Sequence, residues 1–128
     1  MLRFWERLHT IKQFSLHAAY GEGRGEVLVI QESPSTLVFE ERGTWLHSGM
    51  SFRNVLRWRL DRMTGRVSLE HLRLGTPVFL VDLGAPEPHF CGEDTYRVEV
   101  ISGEDPLILR WKVQGPRKNE VMEFRYFQ

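Results

Sequence analysis

The feature that most constrains this chain is a two-residue alternation that returns in short runs along its length. Leu107, Leu109, Trp111 and Val113 alternate with Arg110, Lys112 and Gln114, and Met122, Phe124 and Tyr126 alternate with Glu123 and Arg125. Tyr96, Val98 and Val100 stand against Arg97 and Glu99 in the same way. Successive side chains of an extended strand point to opposite faces, so each run has one face to bury and one to solvate. Turn signals separate the runs: Ser33-Pro34-Ser35, His47-Ser48-Gly49-Met50, Met63-Thr64-Gly65-Arg66 and Ser102-Gly103-Glu104-Asp105-Pro106. Gly21-Glu22-Gly23-Arg24-Gly25 reads as a further hairpin connection, and Leu83 to Pro88 as a loop. About eight or nine strands result, with a turn roughly every ten residues. A short helix over residues 2–9 precedes them, with Leu2, Trp5 and Leu8 three apart. The expected architecture is all-β: a single antiparallel up-and-down barrel over residues 1–128, because nearly every connection is hairpin-short.

With 128 residues the chain has room for one core. Seventeen basic residues balance seventeen acidic ones, so no global field recruits nucleic acid or an anionic membrane. No run approaches the length of a membrane-spanning helix. Cys91 is the only cysteine, which rules out an internal disulfide and a multi-thiolate metal site. A cytoplasmic protein with no metal and no cofactor is the expectation.

Three groups of residues could carry chemistry. On the run from Thr36 to Leu46, Leu37, Phe39, Glu41, Gly43 and Trp45 share a face. A carboxylate among them is costly if buried alone. Glu41 therefore sits at a bulge or at the barrel mouth, or else points into a polar cavity and meets a basic side chain. His89-Phe90-Cys91-Gly92-Glu93-Asp94-Thr95-Tyr96 is the second group. His89, Asp94 or Cys91 could act on a bound substrate, while the plainer reading has Cys91 as a small buried hydrophobe and His89 and Asp94 bonded to loop backbone. The third is Gly115-Pro116-Arg117-Lys118, a rigid corner whose planar guanidinium suits a carboxylate. Arg117 either pairs with Asp94 or Glu41 or offers an anion site at the barrel mouth. Arg53, Arg57 and Arg59 share the face opposite Phe52, Leu56, Trp58 and Leu60, and form either a solvated face or a basic lining.

His89-x-Cys91-x-x-Asp94-x-Tyr96, followed by Trp111-x-Val113-x-Gly115-Pro116-Arg117-Lys118 and a closing Tyr126, resembles a family catalogued as domain of unknown function 6314. Phe39-x-Glu41-x-Gly43 and Trp58 are similar to its upstream motifs. The resemblance implies a lipocalin-like barrel and no established activity. The chain departs from the family pattern at Thr76 and Phe79, where an Arg and a His are usual, and at Val55-Leu56, where an Arg-Tyr is usual. Activity that depended on those groups would be lost here.

The expected function is binding of a small apolar or amphipathic molecule inside the barrel, through Glu41, Trp58, His89, Tyr96, Trp111 and Arg117. Two alternatives stand beside it. One is an enzyme acting through His89, Asp94 or Cys91, and the other is a homodimeric interaction module.

Overall fold

The computed structural model describes residues 2–73, 76–82, 89–91, 94–117 and 119–128, with the backbone alone at 2, 73, 76–82, 89–91 and 94. Among these residues one helix, α1 (Leu2–Leu8), leads into ten strands. They are β1 (Gln13–Ala18), β2 (Gly21–Ser33), β3 (Thr36–Trp45), β4 (Ser51–Leu60), β5 (Val67–Arg73), β6 (Thr76–Asp82), β7 (His89–Cys91), β8 (Asp94–Ser102), β9 (Leu107–Gln114) and β10 (Asn119–Phe127). All belong to one sheet ordered β6-β5-β4-β3-β2-β1-β10-β9-β8-β7. Each paired strand runs antiparallel to its neighbour, including β1 with β10, where Gln13 lies opposite Phe127. The first and last strands are thus joined. The sheet's two edges, β6 and β7, are consecutive in the chain, and their backbones come close together. The result is an up-and-down β-sheet curled round one interior.

The alternation decides what that interior contains. Register pairs place Phe14, Val27, Leu37, Phe39, Leu56, Trp58, Leu69, Leu109, Phe124 and Tyr126 on the same face, and all are buried in a single core. The opposite face carries the charges. Arg53, Arg57 and Arg59 of β4 lie outside, so the basic-lining alternative is not what the chain adopts. Glu40 pairs with Arg53 at 3.2 Å, and Glu32 with Arg57 at 3.1 Å. Glu70 takes Arg59 at 2.6 Å and Arg57 at 3.4 Å. Outward placement leaves each guanidinium hydrated while its stem covers apolar surface.

Helix α1 closes one end. Phe4, Trp5 and Leu8 are buried in the core, with the Phe4 ring 6.0 Å from Trp58 in an edge contact. Arg7 of its last turn reaches Glu104 in the β8–β9 turn at 2.8 Å. Seven residues make an unstable helix in water, so this packing is what holds it. Towards the other end the interior-facing residues Trp45, Phe52, Val98 and Met122 are only partly buried. That end is the more open one.

Two expectations change. The glycine run is not a turn; Ala19 and Tyr20 make it, and Gly21, Gly23 and Gly25 lie within β2. Their role is steric. Gly25 faces Gly43 across the β2–β3 pair, and a Cβ on Gly25 would collide with the Arg42 carbonyl. A Cβ on Gly43 would come within 2.5 Å of the Phe52 ring and 2.9 Å of Phe14. Glycines at these positions let backbone and rings approach as a tightly curled sheet requires. Gly25→Ala is expected to cost more than Gly43→Ala, each about 1–3 kcal/mol, because a backbone oxygen yields less readily than a ring. Equal urea midpoints for the two variants would contradict this. The second change is β7, too short at three residues to show any alternation.

Candidate functional site

Glu41 is fully buried on the interior face of β3. The β2–β3 and β3–β4 registers run unbroken past it, opposite Val27 and Asn54, so no bulge turns it away. Its partner is not basic. Tyr126, near the end of β10 and also fully buried, donates its hydroxyl to Glu41 Oε2 at 2.6 Å. A phenol brings a donor into the interior without bringing a charge, which an arginine could not do at similar cost.

Burial raises the Glu41 pKa from 4.5 to about 7, against weaker downward pulls from the Tyr126 hydrogen bond and from Asn54. The Tyr126 hydroxyl is pushed well above its usual value, by burial first and then by the neighbouring carboxylate. It therefore stays protonated and remains the donor.

Among the described residues, two interior polar atoms have no hydrogen-bond partner: Glu41 Oε1 and Trp58 Nε1. Trp58 is fully buried on β4, two strand positions beyond Leu56, with Phe39 5.5 Å away ring to ring. Phe39 also lies 5.8 Å from Tyr126, so it stands between the indole and the phenol–carboxyl pair. Most buried polar groups are hydrogen-bonded, and an unpaired one costs about 1–3 kcal/mol. A third such atom, Arg7 Nε, differs in kind, since its guanidinium is already held by Glu104.

The remaining sequence candidates are spread out. Trp111 is buried on the interior face of β9, opposite Met122 and Val98. Tyr96 on β8 is half-buried, opposite Val113, and the His89 backbone pairs with it from β7. The side chains of His89, Cys91 and Asp94 lie outside the described residues, and with them the proposed catalytic set. Arg117 is exposed in the bend after β9. It does not pair with Glu41, which is fully buried and whose Oε2 is taken by Tyr126. Among the described residues no three His, Cys, Asp or Glu side chains gather as a metal site requires, and no helix is long and apolar enough to cross a membrane.

Asn54 and Tyr126 were missed as members of the site. Asn54 shares the alternation with Phe52 and Leu56, which was a usable signal. For Tyr126 the pattern gave the inward direction, yet nothing local paired it with a residue 85 positions away.

Tyr126→Phe removes the short 2.6 Å hydrogen bond to the buried carboxyl. It should cost about 1–3 kcal/mol above pH 7, where Glu41 is ionised, and less at pH 5. Denaturant midpoints at the two pH values check this, and a loss that is the same at both would contradict it.

A family model described as "Family of unknown function (DUF6314)" matches residues 5–128. No curated protein and no solved structure matches the chain.

Proposed function

This chain belongs to the family of unknown function DUF6314, and on that footing we propose that it binds a small apolar or amphipathic molecule within its curled sheet, as a lipocalin-like carrier of the cytoplasm. One observation carries the reading. An otherwise apolar interior holds a carboxyl oxygen and an indole N–H that no described side chain or backbone group satisfies. Binding sites of this kind are apolar walls with a few placed polar groups. Here Phe39, Trp58 and Trp111 supply wall, and Glu41 with Tyr126 supplies the polar anchor. The partly buried end with Trp45, Phe52 and Met122 is the entrance.

The test uses N-phenyl-1-naphthylamine, an uncharged apolar fluorophore. It should bind saturably at one site per chain, accept energy from the interior tryptophans, and be displaced by non-fluorescent apolar molecules. Non-saturable binding, or a bound dye that no competitor displaces, would sink the proposal.

A further inference from the structure

The polar atoms of the interior also constrain the head group of such a ligand, an inference that rests on the binding reading above. We infer that the site takes an amphiphile whose head donates a hydrogen bond, an alcohol or an amine, and discriminates against carboxylates. Glu41 presents one oxygen to Tyr126 and leaves the other, Oε1, as an unpartnered buried acceptor. Apart from Glu41, the side chains described as fully buried are uncharged, and the arginines of β4 all face outward. An anionic head placed there would meet a carboxyl group with no described cation to offset it. A hydroxyl or ammonium head instead satisfies Oε1. Sites built to hydrogen-bond a particular group reject analogues that lack it far more strongly than apolar walls reject a change of chain length.

Dodecanol, dodecylamine and dodecanoate share one apolar chain and differ only in the head. Each is titrated at pH 8.5, where Glu41 is ionised, below its aggregation limit into the whole 128-residue chain, with quenching of tryptophan emission as the readout. Dodecanol and dodecylamine are expected to bind at least tenfold tighter than dodecanoate. Glu41→Gln exchanges the free carboxyl oxygen for a carboxamide that can donate, so it should raise dodecanoate affinity relative to dodecanol at least tenfold. Tyr126→Phe, which keeps the carboxyl, should preserve the original order and serves if Glu41→Gln fails to fold. Dodecanoate binding as tightly as dodecanol, or a ratio that Glu41→Gln leaves unchanged, overturns the head-group assignment while the binding reading stands. Failure of all three to bind, together with failure of the naphthylamine, removes both.

Discussion

Between pH 4.5 and 7 the protein is expected to lose about 3 kcal/mol of folding stability through Glu41 alone, a loss that Glu41→Gln should abolish. In the unfolded chain this carboxyl releases its proton near 4.5, whereas in the folded protein it holds the proton until about 7. Across that window the unfolded state binds fewer protons, so stability falls as pH rises. Below 4.5 both states are protonated and above 7 both are ionised, and the contribution is flat on either side. The groups facing Glu41 are Tyr126 and Asn54, neither of which changes charge in this range, and no cation contributes to the shift. Glu123 shifts downward through Arg125 and Arg110 and so acts in the opposite sense, but it is common to both proteins. Urea denaturation of wild type and variant at four pH values between 4.5 and 7.5 gives the difference directly. Parallel curves would mean that Glu41 is neither buried nor shifted.

Trp58→Ala is the most damaging single truncation expected, at about 3–5 kcal/mol. The indole is fully buried, faces Leu37 and Leu69 on the neighbouring strands, and meets Phe4 of the end-closing helix and Phe39 of β3. Its loss would undercut both the sheet core and the docking of α1. Against a usual total of about 5–15 kcal/mol, such a loss brings the chain near unfolding at ordinary temperatures. Trp58→Phe separates packing from polarity. It keeps most of the ring and deletes an N–H that has no partner, so it should cost less than about 1.5 kcal/mol. If phenylalanine costs as much as alanine, the indole nitrogen is making a bond that the structure does not contain.

Fold class was legible because alternation is a local signal. Eight or nine strands, the helix and most turns could be read from neighbouring residues. Counting by two put Glu41 on one face of β3 with Leu37, Phe39, Gly43 and Trp45, while its inward direction came from the structure. What failed were features set by distant parts of the chain. The glycines of β2 looked like a turn because their reason for being small, the rings of Phe14 and Phe52 and the Arg42 carbonyl, lies elsewhere in the sequence. The partner of Glu41 was sought among basic residues, since electrostatics suggests opposite charge, while the interior supplies a neutral donor. Arg117 looked like that partner through its guanidinium alone, and its place in an exposed bend could not be seen from composition.

The pairing of β1 with β10 has a consequence for biosynthesis. Phe127 is synthesised long after its partner Gln13. Until then one edge of β1 is open and Glu41 lacks the hydroxyl of Tyr126. A nascent chain can zip its early hairpins but cannot seal them, so the acidic residue must stay hydrated until β10 has been made. The nine residues of β10 therefore act as the latch of the whole sheet, and a stop codon just ahead of them should release a chain destined for aggregation and proteolysis.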